Sequence, residues 1–219
     1  MIAFNASNHS GVFTTTLTFA HTTAGSDRYL FVHLWVGGGD IPTAVTYAGV
    51  SMTLLASNLM TGAAAGQWIR TYGLVNPASG TNNVIITFAN NPGGSYISVV
   101  SYTGVNQITP TNGAGNNGLT STTSLTTSLT TTVDNCWLAG YVYSQNLPGP
   151  GAATIFRGGS VNQLRAMDSG AARTPAGSHS LITTQSPADF AGHTIVALVP
   201  VTGGATSRAS SLMLTGIGS

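Results

Sequence analysis

The chain contains no lysine and no glutamate, and only 5% of its 219 residues are charged, where an ordinary globular domain carries roughly 25%. Every cationic side chain is an arginine (Arg28, Arg70, Arg157, Arg165, Arg173, Arg208) and every acid an aspartate (Asp27, Asp40, Asp134, Asp168, Asp189). The gap excludes lysine-based catalysis, a glutamate acid/base pair and a polybasic nucleic-acid surface, and a net charge of +1 sets up no steering field. It also removes two strong helix formers and every Glu–Lys pair that could support a helix face. Cysteine is almost absent: Cys136 stands alone, so no internal disulfide is possible, and its apolar setting, CWLAGYVY, reads as packing rather than as a nucleophile. Long apolar runs are missing too. The longest, Tyr29–Val36 and Ile195–Val201, fall far short of the roughly 18 residues a membrane helix needs. The start, MIAFNASNHS, has no basic region before an apolar stretch, so no cleaved signal peptide is expected, and the sequons at Asn5 and Asn8 read as chance matches.

In place of charge stand Thr, Ser, Asn and 28 glycines, which favour strands and turns over helix interiors. With 42% hydrophobic residues and almost no net charge, the chain is built to fold rather than to stay disordered. The expectation is an all-β chain: one antiparallel β-sandwich, jelly-roll-like, of about a dozen short strands over residues 1–201, with 202–219 as a C-terminal edge strand or arm. Leu17 and Phe19 alternate with Thr16 and Thr18, as on a strand with one buried face. Arg28–Val36 is apolar on both faces and reads as a central strand. Val45–Tyr47 and Val50–Leu54 flank Ala48–Gly49, the pattern of a tight hairpin whose glycine supplies a positive φ. Gln67–Val75, Asn83–Phe88 and Tyr96–Thr103 follow, and an antiparallel meander is the economical reading. Thr109–Thr132 resembles low complexity, yet Leu125, Leu129 and Val133 share a face, which favours a Thr-rich strand. Asn135–Tyr143, Thr154–Arg157, Asn162–Asp168, Ser178–Thr184 and His193–Val199 complete the expected core.

Few patterns suggest chemistry. Gly113-Ala-Gly115-Asn-Asn-Gly118 satisfies the spaced-glycine dinucleotide pattern, but LTSTTSLTTS follows it where a helix is required, so a flexible surface loop is expected. His9, His21 and His33 recur every twelve residues, the wrong spacing for a local ligand pair, so no metal is expected; His33 reads as a core histidine and His9 as a solvated one. Nothing marks a catalytic nucleophile, no catalytic residue or cofactor is assigned, and Asp27 and Asp134 read as turn and strand-end residues. Trp35, Trp68, Trp137, Tyr72, Tyr141 and Tyr143 lie in expected strands and are chiefly core or subunit interface. Trp68 and Tyr72 are the candidate ligand or interface aromatics. The arginines, planar and bidentate, suit core-rim or interface bridges.

One succession carries a resemblance: His21, Arg28-Tyr-Leu30-Phe-Val32, Val45-Thr-Tyr47-Ala-Gly49-Val-Ser-Met-Thr53, Trp68 to Leu74, Asn76-Pro77-Ala-Ser-Gly80-Thr81 into Val84-Ile-Ile-Thr87, Gly104-Val-Asn-Gln107 with Pro110, and the closing Ala191-Gly-His-Thr-Ile-Val-Ala-Leu-Val-Pro200. It resembles a β-sandwich module of tailed-phage virion proteins and of bacterial surface or phage-derived proteins. The double glycine usual in the module's hairpin is Ala48–Gly49 here. The resemblance implies a non-enzymatic virion structural protein, capsid-decorating or tail-associated, made in the host cytoplasm. The partners it implies are copies of itself, as a homotrimer or another symmetric oligomer, and virion proteins such as the major capsid protein, with neither nucleic acid nor membrane. The alternative is a module binding carbohydrate or a host receptor, with Trp68 or Tyr72 stacked on a surface glycan.

Overall fold

The computed structural model describes residues 1–12, 14–61, 65–158 and 163–201. The expected arm at 202–219 and Asn162 lie outside the described residues. Numbered along the chain, the strands form three antiparallel sheets. The middle sheet runs β1 (Ala3–Val12), β9 (Ser95–Thr103), β3 (Tyr29–Val36), β7 (Trp68–Val75), β6 (Thr53–Leu59). On one side lies a front sheet of β2 (Thr16–Thr23), β8 (Gly80–Phe88), β4 (Pro42–Tyr47) and β5 (Val50–Ser51). On the other lies a back sheet of β10 (Thr111–Thr130), β15 (Ser178–Leu198), β11 (Trp137–Ser144), β14 (Leu164–Asp168) and β13 (Ile155–Gly158), with β12 (Gly149–Pro150) paired to β15. The described residues contain no helix and no closed barrel, so the all-β antiparallel sandwich holds.

The two-faced apolarity of β3 is explained by its place in the middle layer. Leu30, Val32, Leu34 and Val36 pack with Leu17, Tyr47, Val84 and Ile86 of the front sheet. Tyr29 and Phe31 pack with Trp137, Tyr141, Val196 and Leu198 of the back sheet. Each such side chain, fully buried, contributes roughly 1.5–3 kcal/mol, so β3 is the strand around which both cores form.

The simple meander is corrected. β2, β3 and β4 fall in front, middle and front sheets in turn, and β8 and β9 again divide between the two. A strand apolar on both faces must be covered on both, so its chain neighbours cross to another layer instead of pairing beside it. β1 was not anticipated; its FNASNHSG run is polar on both faces and occupies an edge, paired to β9 from Ala3↔Thr103 to Val12↔Ser95. The hairpin is as expected and tighter. Tyr47 pairs with Val50 across a two-residue loop in which both Ala48 (φ 50°) and Gly49 (φ 78°) are left-handed, the type I′ geometry that matches strand twist.

The larger departure is in length. β10 and β15 have 20 and 21 residues and pair along their whole extent, from Thr111↔Leu198 to Thr130↔Ser178. The spaced glycines do not form a loop: Ala114 to Gly118 pair with Val196 to Gly192 inside this ribbon. Backbone pairing there takes up polar groups that a loop would have left to solvent. Register slips between Leu119 and Ser124, opposite Gln185–Asp189, mark a corner where the ribbon folds back over the back sheet. Asn117 Nδ2 accordingly donates to Thr126 O at 2.8 Å, across the fold. Gln185 fastens the corner, its Nε2 donating to Thr122 O at 2.9 Å and Asp189 O at 2.6 Å. The folded half brings Leu129 and Leu181 onto Cys136, Leu138, Val142, Ile195 and Ala197, closing a third core.

Candidate functional site

The three buried histidines occupy one interlayer space each. His21, on β2, lies between front and middle sheets with Nε2 3.1 Å from Ser101 Oγ, which in turn donates to Asn5 Oδ1 at 3.0 Å. His33, on β3, lies between middle and back sheets, stacked on Phe31 and on Tyr141 with centroids 5.4 and 5.3 Å away. Its Nδ1 meets Thr71 Oγ1 at 2.9 Å, and Thr71 meets Thr194 Oγ1 of the back sheet at 2.8 Å. His193, on β15, faces the folded-back ribbon, with Thr127 Oγ1 3.0 Å from Nδ1 and Thr183 Oγ1 2.7 Å from Nε2. Burial pushes His21 down to about 4, and His33 and His193 to about 3. All three are neutral near pH 7, and their hydrogen bonds run to hydroxyls, not carboxylates. His9 is exposed and does not join His21 and His33. Among the described residues no group of three or more His, Cys, Asp or Glu could hold a metal ion.

Asp168 is fully buried and well supplied with donors. Its Oδ2 accepts from Arg157 Nε at 2.6 Å and from Tyr102 Oη at 3.0 Å, and its Oδ1 accepts from Gly170 N at 2.7 Å. Burial, then the Asp168 charge, raises the Tyr102 phenol well above its usual range. The Arg157 guanidinium also sits 4.8 Å over the Phe4 ring, so this cluster ties the N-terminal strand to β13 and β14. Cys136 donates to Val133 O at 3.2 Å inside the third core, its thiol raised by burial and then by Asp134. Asp134 accepts from the backbone N–H of Ala176 and Asp27 is left-handed at φ 52°, while Asp189 lies within β15 and accepts from the backbone N–H of Phe190.

The chain matches no protein-family model and no curated protein.

The candidate aromatics separate. Tyr72 is buried in the front–middle core, only 7% exposed, so it offers no ring to a ligand. Trp68 is half-buried, and the Arg70 guanidinium lies 4.8 Å over its ring. Trp68, Arg70 and Tyr72 alternate along β7 and so share one face. Arg70 is the residue sequence reasoning missed. Arg28 donates to Pro77 O, Gly25 O and Asn76 Oδ1, Arg157 to Asp168, Arg165 to Leu164 O, and Arg173 to Ala153 O and Ser169 O. Among the described residues the buried Nε of Arg70, like that of Arg173, has no hydrogen-bond partner, while the Arg70 guanidinium meets the Tyr72 phenol. Ser57, its register partner on edge strand β6, has a buried Oγ that is also unpartnered. Burial raises the Tyr72 phenol, and the adjoining Arg70, by hydrogen bond and charge, pulls it partly back. On the opposite, back-sheet face of β6, where it meets β10, is a cleft of about 260 Å³ lined by Asn58, Leu59, Thr61, Asn116 and Asn117. Asn116 Nδ2 donates to Ser57 O at 3.0 Å, tying β10 to the backbone of edge strand β6.

Proposed function

We propose that the protein is a non-enzymatic structural component of a tailed-phage virion, capsid-decorating or tail-associated, that stabilises the particle through contacts with copies of itself and with neighbours such as the major capsid protein. The observation that supports this most is the make-up of the two outermost faces. On the front sheet the outward positions are Thr16, Thr18, Ala20 and Thr22 on β2, and Thr81, Asn83, Ile85 and Thr87 on β8. On the folded-back ribbon they are Ser124, Thr126, Ser128 and Thr130 facing Ser178, Ser180, Ile182 and Thr184. None of these positions carries a charge. Such surfaces cost little side-chain entropy to order and lose no ion pairs to salt, which suits permanent contact with a neighbour. The resemblance to phage virion modules supports the same reading.

The site of action is the phage particle. Mass spectrometry of purified particles is expected to find the protein at fixed stoichiometry, and light scattering to find a trimer of the isolated chain. Particles that lack the protein, together with a monomer at every concentration tested, would overturn the reading.

A further inference from the structure

Beyond an assembly role, and independently of it, we infer that an apolar groove where β15 ends is the docking site of this chain's own C-terminal segment, with Leu212, Met213 and Leu214 folded back onto it. The groove, a cleft of about 490 Å³, is lined by Met1, Ile2, Val133, Ala172, Pro200 and Val201. Four separate parts of the chain meet there: the residues before β1, the turn between β10 and β11, the loop after β14, and the exit from β15. Two sets of contacts bring them together. Gly104, left-handed at φ 71°, lies so close to the Met1 carbonyl that a Cβ would collide with it, and its own carbonyl accepts from Val201 N at 2.8 Å. On the other side, Arg173 N donates to Cys136 O at 2.7 Å, which holds the Ala172 loop against the entry to β11. The apolar lining is left wet: Met1 is 95% exposed, Val133 37% and Val201 36%, beside an Ile2 that is only 3% exposed. Contiguous exposed apolar surface gathered around a concavity marks a docking site.

The occupant follows from the chain that leaves the groove. Thr202–Ser219 continue directly from Val201, itself a lining residue. The first ten of these residues, Thr202–Ser211, are Thr, Gly, Ala, Ser and one Arg, with Gly203-Gly204 at the point where the chain must reverse. The large apolar residues come only after that tether, as Leu212-Met213-Leu214 and Ile217. Such a tether spans at most roughly 33–36 Å, ample for a return to a groove that begins at its own root. It also holds its far end at an effective concentration on the order of 1 mM, above that of any second copy in dilute solution, so the chain's own segment wins over a neighbour's. Charge agrees with this choice. Asp134 is the one charged side chain lining the groove and joins no ion pair among the described residues, and Arg208 is the one charged side chain of the segment.

The test is hydrogen exchange of the full chain, read by mass spectrometry on the fragment that carries Leu212–Leu214. Its amides are expected to exchange about tenfold more slowly than those of a free peptide of the same sequence, the excess of closed over open groove for an intrinsic dissociation constant of about 0.1 mM. Met213→Asp, outside the described fold, and Val133→Asp, at an exposed turn, should each return the fragment to the free rate while the β11 amides stay protected. Exchange at the free rate in the parent chain, or protection that survives either variant, would overturn the inference. Protection that grows with protein concentration would overturn it too, because it would seat the segment on a second copy. Particle incorporation is a separate measurement, so failure of the assembly role and failure of this docking site are distinguishable.

Discussion

Acidification is the perturbation that the interlayer histidines make most informative. In the unfolded chain each imidazole titrates near pH 6.5; in the folded protein His21 is held to about 4, and His33 and His193 to about 3. Below pH 6.5 the unfolded chain therefore takes up protons that the folded chain refuses. Stability is complete above that pH, falls as the pH drops, and levels off only near the folded values. At pH 5 each histidine has cost about 2 kcal/mol, and the three together about 6 kcal/mol, against a total stability of roughly 5–15 kcal/mol for an ordinary domain. The cause is desolvation, because threonine and serine hydroxyls could turn to accept from an imidazolium. The slope should therefore survive high salt, which screens surface charges but not burial. Urea titrations followed by tryptophan fluorescence at pH 8, 7, 6 and 5 would measure it, with and without added salt. His193→Gln should remove about a third of the slope. A stability that changes by less than about 1 kcal/mol between pH 8 and pH 5, or a slope that vanishes in salt, would refute the neutral, buried placement of these rings.

Three further outcomes follow from the packing. Asp168→Asn should cost roughly 3 kcal/mol in urea denaturation, since it leaves Arg157 and Tyr102 facing an uncharged group in the interior; a near-neutral effect would show that the cluster is solvated. Ala48→Asn should raise the melting temperature, gaining about 0.5–1 kcal/mol by placing a residue tolerant of positive φ in the type I′ turn; an unchanged or lower melting temperature would count against that turn geometry. Leu181→Ala should cost roughly 3 kcal/mol and speed labelling of the Cys136 thiol, which shares its core; labelling that stays as slow as in the parent would show that the folded-back ribbon does not seal that core.

Much of this architecture was legible in local pattern. β3 announced its middle position by being apolar on both faces, the Ala48–Gly49 hairpin by its turn residues, and β10 by leucines recurring among threonines. The folded ribbon was not legible, because alternation specifies a strand and its faces but not a corner. That corner depends on the register slip opposite Gln185–Asp189, which only the paired strand reveals. β1 was hidden for a related reason: an edge strand with Asn, Ser and His on both faces shows no period. At the candidate site, Trp68 drew attention as an aromatic and the buried Tyr72 shared it, since sequence does not say which strand face a neighbouring sheet covers. Arg70 escaped because six arginines look alike until their acceptors are known. The spacing Trp68-x-Arg70-x-Tyr72, which puts all three on one strand face, was the available signal.

The strand order of the back sheet bears on how the protein is made. β10 and β11 follow one another in the chain, yet β15 lies between them. As the chain leaves the ribosome, both emerge long before the strand that joins them exists. For that interval the sheet has a vacant slot with two open edges, an invitation to any free strand of matching pattern. β15 fills it last, and in doing so closes the outer core with its other half. Folding of this sheet is therefore completed by a single late insertion, and crowded copies at that stage compete for the same slot, which makes strand exchange between chains the characteristic hazard of this topology.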